Sequence, residues 1–253
     1  MRRHRWGLLA AALLWAGAAC SDAPPSLTIA AASDLAPASV DLEPLVEAEC
    51  DVDVSFVLGS SGQLRDQVRA GAPYDLFLSA DRGFVDGLAQ SGDIDPTSVR
   101  DYAVGGLALA WRDGLPPLAT LDDLRRADIE RIAIASPEHA PYGRAARQAL
   151  EAADLWDALQ PRIVIAENIR QASEYLRSGN VDAALLSHSL VVQPARAHLS
   201  VDSALHAPLV QASGVVARSA ATEAAACVLR VIAEGAGQDV LARYGFESPV
   251  AAP

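Results

Sequence analysis

Two serine-bearing turns, AASDL at Ala31–Leu35 and GSSGQL at Gly59–Leu64, each follow an apolar strand-like run and precede a helix-like one. Serine hydroxyls and backbone N–H groups therefore stand at two helix starts. The first turn of a helix has unpaired N–H donors and a partial positive charge, so two such starts facing each other form a site for a small anion. SPEHAPYG at Ser136–Gly143 and AENIRQAS at Ala166–Ser173 supply a third and a fourth start, with Asn168 suited to capping the last. Any one of these turns alone reads as an ordinary capped helix. Four of them, two in each half of the chain, are what a cleft between two α/β lobes would use to surround an oxyanion.

The elements that would position these turns alternate as strand and helix, the pattern of βα units. Strands are expected at Leu27–Ala32, Asp51–Leu58 and Tyr74–Ala80, followed by helices at Pro37–Glu49, Gln63–Ala70 and Arg82–Gln90. Pro44 is expected to kink or end the first helix, because it removes a backbone donor and crowds the preceding turn. The glycine-punctuated run Tyr102–Trp111 reads as a crossing into a second lobe. Strands at Arg131–Ala135, Ile163–Ala166 and Ala183–Ser187 follow, with helices around Gly143–Ala152 and Ile169–Arg177, and short ones at Asp122–Ala127 and Asp154–Leu159. A last extended run, Ala212–Ala217, precedes helices at Thr222–Ala233 and Gln238–Tyr244. The expected fold is α/β and two-lobed, each lobe a central β-sheet flanked by helices, with the ligand in the cleft between them. Residues 27–103 and 207–253 are assigned to lobe I and residues 104–206 to lobe II.

The N-terminus belongs to neither lobe. Arg2, Arg3 and Arg5 precede an apolar stretch from Trp6 to Ala19 that is short for a membrane span and ends in small residues before Cys20. Residues 1–19 read as an export signal, Cys20 as a lipidation site, and residues 20–26 as a tether to a membrane. The folded part is expected in the periplasm or at the cell surface. Removing residues 1–19 takes three of the 20 basic residues and none of the 32 acidic ones, leaving a net charge of −15. Nucleic acid is excluded as a partner on that charge. Every basic side chain is arginine, a bias that carries no functional reading. Outside the cytoplasm Cys50 and Cys227 can pair, or stay as two buried thiols.

The four turns, in their order and spacing, resemble those of the molybdate-binding proteins of bacterial ABC importers, members of the two-lobed periplasmic binding protein family. The resemblance covers nearly all of the chain after the export segment. Its most specific pieces are AASDL, the run from Gly59 to Asp81, SPEHAPYG, AENIRQA and the terminal RYGF at Arg243–Phe246. It implies a non-enzymatic receptor for molybdate, and for tungstate, that serves a membrane permease, holds molybdenum only as the oxyanion, needs no cofactor and is a monomer. Carried over residue by residue, it implies hydroxyl and N–H donation by Ser33 and Ser61, and backbone N–H donation by Tyr142 and Ile169. Some members add a tyrosine hydroxyl from the strand that corresponds to Ala183–Ser187. Ser187 stands nearest that place, a fifth candidate with a shorter reach.

Other residues that could carry chemistry are given structural roles. Asp75 and Asp81 are expected to be structural or surface carboxylates, since a dianion site should exclude them. His139 is expected to support its loop, and the remaining histidines lack ligand spacing with it. Two other functions stay open: a receptor for sulfate or phosphate, and a hydrolase with Ser61 or Ser33 as nucleophile and His139 or His188 as base. The hydrolase lacks the G-x-S-x-G elbow.

Overall fold

A computed structural model describes residues 24–249. The export segment, Cys20 and the start of the tether lie outside the described residues. Two five-stranded sheets organise the chain, and each is built on three parallel strands extended by antiparallel ones.

Lobe I begins with β1 (Ser26–Ala32), a 3-10 turn at Ser33–Leu35, α1 (Ala36–Cys50), β2 (Asp53–Gly59), α2 (Ser61–Arg69), β3 (Leu76–Ser79), α3 (Arg82–Ser91) and β4 (Arg100–Gly105). Gly106 alone separates β4 from β5 (Leu107–Trp111), the first strand of the second sheet. That lobe continues with β6 (Ile132–Ala135), α4 (Pro141–Ala152), α5 (Trp156–Leu159), β7 (Ile163–Ala166), α6 (Ile169–Arg177), β8 (Ala183–Ser187), α7 (Ser189–Val192) and β9 (His198–Ser200). The chain then returns to the first sheet as β10 (Leu209–Val215) and ends with α8 (Thr222–Glu234) and α9 (Ala236–Arg243). The sheet orders are β2-β1-β3-β10-β4 and β7-β6-β8-β5-β9.

Strand composition follows from burial on both faces. β6 (IAIA) and β8 (AALLS) are buried at every residue, as parallel strands covered by helices must be. In β1, Leu27, Ile29 and Ala31 pack on the α1, α8 and α9 side, while Ala30 faces the cluster that holds Leu64, Val68 and Val85 from α2 and α3. The alternation of side chains along the strand thus feeds two hydrophobic layers.

Pro44 does not end the first helix. Helix α1 runs through it to Cys50. The carbonyl that loses its donor belongs to Val40, four residues earlier, and Val40 is 71% exposed, so the carbonyl is open to hydration in place of the missing N–H. The expected helix at Asp122–Ala127 is a 3-10 turn at Leu121–Arg125, and α7 and β9 carry no sequence pattern long enough to announce them.

Cys50 and Cys227 form a disulfide, with Cα atoms 5.9 Å apart, that ties the end of α1 to α8. The bond spans 177 residues of sequence, so both crossings between the sheets lie inside its loop. Cross-links of long loops remove much entropy from the unfolded chain. Replacing Cys227 with serine, or adding reductant to the wild type, is expected to lower unfolding free energy by about 2–4 kcal/mol. The denaturant midpoint reads this directly, and an unchanged midpoint in both cases would refute it.

Candidate functional site

Four strands deliver their carboxyl ends to one place. β1 and β2 hand the chain to Ser33 and Ser61, and β6 and β7 lead into Tyr142 and Ile169 at the starts of α4 and α6. Ser33, Ser61, Tyr142 and Ile169 together line a cavity of about 10 Å³ between the lobes, along with Asp34 and Ala80. The space is on the scale of one small ion or water. Larger hollows exist elsewhere, such as one of about 290 Å³ between Asp95 and Glu234, but it is lined by lobe I alone.

The helix starts at this cavity lack the caps that buried helix ends normally have. Ala140 precedes α4 and has no side chain to cap it, and Ala32 likewise leaves the 3-10 turn uncapped. Ser60 precedes α2, yet its hydroxyl does not cap that helix either. Only α6 is capped: Asn168 Oδ1 accepts from Gln171 N at 3.0 Å, which leaves the N–H of Ile169, its first residue, uncommitted by that cap. Buried helix N-termini without protein partners are the donor set of an anion site. Ser61 Oγ accepts from Ala80 N at 3.0 Å, so its proton is directed away from that bond and available to a ligand.

The lobes meet through the loop before α4. His139 O accepts from Ser60 Oγ at 2.5 Å and from Gly62 N at 2.9 Å. The imidazole of His139 is half exposed beside Glu138, so the loop acts through its backbone and not through its ring. Arg144 of α4 pairs with Asp81 across the cleft, and Asp81 also caps α3 through Gly83 N at 2.7 Å. Asp75 accepts from Thr28 N at 2.8 Å and from Ser219 Oγ at 2.6 Å. Both carboxylates have the structural roles expected of them.

Ser187 is not part of the cavity lining. Its hydroxyl shares a 2.8 Å hydrogen bond with Ser189 Oγ, and Ser189 Oγ donates to Asp34 O at 2.7 Å. The short side chain of Ser187 is thus engaged with Ser189 and stands outside the cavity lining. A tyrosine hydroxyl does reach this region, but from α4: Tyr142 OH accepts from Gln211 Nε2 at 3.1 Å and also hydrogen-bonds toward Ser187.

Sequence reasoning missed Asp34. It sits inside AASDL, one residue after Ser33, is fully buried, and lines the cavity from which carboxylates were expected to be absent. Desolvation raises its carboxyl to about 6, opposed first by the Gln211 hydrogen bond and then by the nearness of the Tyr142 hydroxyl and the Asp34 and Leu35 N–H groups. Burial, reinforced by Asp34, holds the Tyr102 and Tyr142 hydroxyls well above the ordinary tyrosine range. The signal available in sequence was its position alone, in the turn already singled out. Among the described residues neither Ser33 nor Ser61 hydrogen-bonds to a histidine, and no three His, Cys, Asp or Glu side chains converge as a metal site.

Comparisons with known proteins agree with this geometry. The profile of the family described as bacterial extracellular solute-binding protein matches residues 27–247. The chain is 29% identical over 246 residues to the molybdate-binding protein ModA of Rhodobacter capsulatus, with 96% of each chain covered. It is 28% identical over 231 residues to the putative ABC transporter substrate-binding lipoprotein YvgL of Bacillus subtilis, covering 89% and 88%. Among solved structures, the periplasmic molybdate-binding protein of Azotobacter vinelandii superposes with a TM-score of 0.83 at 27% identity, over 88% of this chain and 99% of that one.

Proposed function

Since this chain belongs to the bacterial extracellular solute-binding proteins, we propose that it captures molybdate, and tungstate of the same shape and charge, and delivers the oxyanion to the permease of an ABC importer. The observation that carries this reading is the convergence of Ser33, Ser61, Tyr142 and Ile169, from four helix starts on two lobes, on one ion-sized cavity. The Rhodobacter capsulatus and Azotobacter vinelandii relatives, which match nearly the whole chain, are both named as molybdate-binding proteins. Serine hydroxyls and helix N-terminal N–H groups provide partial positive charge without a cation, which suits a fully deprotonated tetrahedral anion.

Magnitudes support the reading. About six charge-assisted hydrogen bonds of roughly 1.5–3 kcal/mol each amount to on the order of 9–18 kcal/mol gross. Micromolar to nanomolar affinity needs about 8–12 kcal/mol net, so the remainder offsets anion desolvation and lobe closure. The net charge of −15 after export does not oppose this, because surface charges are screened over about 8 Å while the donors touch the ligand. Discrimination against sulfate then rests on cavity size. Residues 27–105 with 207–253, and residues 106–206, act as the two closing bodies, the first boundary standing two residues later than the sequence suggests because β4 stays in the first sheet to Gly105. Lipidation at Cys20, for which the lipoprotein name of the Bacillus relative gives support, tethers a monomer at the membrane.

Calorimetric titration with molybdate, tungstate, sulfate and phosphate tests the reading. Molybdate and tungstate are expected to bind, and Ser61→Ala is expected to weaken both about 10- to 100-fold, the worth of one charge-assisted hydrogen bond. Silence toward both anions in the wild type would refute it, and tighter sulfate binding would replace it with a sulfate receptor.

A further inference from the structure

Resting on the oxyanion reading above, we propose that Asp34 meets the bound ligand as a neutral carboxylic acid, its Oδ1 proton drawn from solvent on binding and donated to a ligand oxygen. Asp34 lines the cavity and has no exposed surface. Its two carboxyl oxygens are not equivalent. Oδ2 accepts from Gln211 Nε2 at 2.5 Å, and Tyr102 OH donates to Gln211 Oε1 at 2.6 Å, which fixes the amide with its N–H groups toward the carboxyl. Among the described residues Oδ1 is buried with no hydrogen-bond partner: the Tyr142 hydroxyl and the Asp34 and Leu35 N–H groups lie near the carboxyl and favour its charged form, but none meets hydrogen-bond geometry with Oδ1.

A buried, unpartnered carboxyl oxygen beside an anion site is unfavourable in either of its simple states. Ionised, it would face a dianion in a closed compartment, where like charges repel far more strongly than in water. Protonated without ligand, its O–H would lack an acceptor. Protonated with ligand, both problems vanish, because the arriving oxygen is the acceptor. The proton rests on Oδ1, since Oδ2 is held as an acceptor by Gln211. The balance is one carboxylate, one proton from solvent and one dianion, giving a carboxylic acid hydrogen-bonded to the dianion.

The groups that face Asp34 leave it alone as the one that changes charge. Tyr102 from β4 and Tyr142 from α4 are the titratable neighbours, and both stay neutral at ordinary pH. Gln211 from β10 and Ser189 from α7 are uncharged. Among the described residues no arginine or histidine forms an ion pair with it. Burial already raises the carboxyl to about 6, and a bound dianion raises it further. A group higher in the complex than in the free protein takes up a proton on binding. Affinity is then greatest at low pH and falls by up to tenfold per pH unit across that window. Folded-state stability carries the same sign: the contribution of Asp34 is present below its unfolded value of about 3.9 and is lost as pH rises through about 6.

Titration with sodium molybdate between about pH 6 and 8, in two buffers of different ionisation heat, counts the protons exchanged. The expected result is uptake of about half a proton per site at pH 6, where half the free carboxyls already carry one, approaching one above about pH 7, with Kd weakening up to tenfold per unit. Asp34→Asn, whose amide keeps a permanent donor, is expected to bind with a flat profile and no uptake. Molybdate binding by the wild type without proton uptake overturns the proposal and leaves the oxyanion reading standing, whether or not the variant folds. A variant that keeps the wild-type slope also overturns it. Phosphate bound more tightly than molybdate, with affinity rising with pH, would make Oδ1 an acceptor and overturn it too, and silence toward molybdate overturns both readings.

Discussion

Gly143→Ala is expected to lower unfolding free energy by about 3 kcal/mol and to weaken molybdate binding at least tenfold, although alanine is ordinarily the better helix residue. A Cβ at Gly143 would stand 2.2 Å from Ala135 O, 2.6 Å from Ala135 C and 2.7 Å from Ser136 C. These are backbone atoms that cannot rotate away. Ala135 pairs with Ala166 in the ladder of β6 and β7, and Ser136 N donates to Ala166 O at 2.7 Å. Overpacking against a movable side chain costs roughly 1–3 kcal/mol, and a fixed backbone places this case at the upper end. If α4 lifts to relieve the clash, it carries the Tyr142 N–H out of the cavity, so stability and binding fall together. Gly87→Ala in α3 is the control, because nothing lies within 4 Å of its added Cβ. It should gain about 0.5–1 kcal/mol with binding unchanged. A raised Tm and wild-type affinity in Gly143→Ala would contradict the packing argument.

The contrast between these glycines marks how far the sequence could be read. Gly143 was legible as the end of a motif and as a helix start, because strand, turn and helix periodicities are local properties. The helix it starts was expected from Gly143 and begins at Pro141. The four turns and their donors were likewise legible, since β1, β2, β6 and β7 each end where alternation gives way to serine, proline or asparagine. What could not be read were the relations across long sequence distances. Asp34 was overlooked because its partners Tyr102, Tyr142 and Gln211 are up to 177 positions away. Its neutralising environment is a product of lobe packing and not of the AASDL turn. Ser187 was placed near the ligand through the resemblance, as the residue nearest a tyrosine that some members carry, whereas its engagement with Ser189 depends on the turn into α7. The disulfide was undecidable for the same reason: the 5.9 Å between Cα atoms is set by how α1 and α8 pack on one sheet.

Gly62→Ala should separate stability from binding in the opposite way to Gly143→Ala. Gly62 is the second residue of α2 in lobe I, and an added Cβ would stand 2.6 Å from His139 O and 3.1 Å from His139 Cα in the loop before α4 of lobe II. The same carbonyl accepts the Gly62 N–H at 2.9 Å, so the clash breaks that bond as well. Both penalties arise only when the lobes approach. In an open form the substitution instead reduces the freedom of the unfolded chain and favours the helix by about 0.5–1 kcal/mol. The unliganded protein is therefore expected to melt at the same temperature or slightly higher. Molybdate affinity is expected to fall about 10- to 100-fold, because overpacking of roughly 1–3 kcal/mol now opposes closure. Solution scattering gives the structural readout: the wild type should contract on adding molybdate, and the variant should stay extended at concentrations that saturate the wild type. Ser61→Ala provides the complementary case, since it removes a donor without obstructing closure and should still contract once saturated. Wild-type affinity in Gly62→Ala would mean that the His139 carbonyl and the α2 start need not meet for the ligand to be held. The four helix starts would then act as two independent pairs, and the ion-sized cavity would not be the state that discriminates among anions.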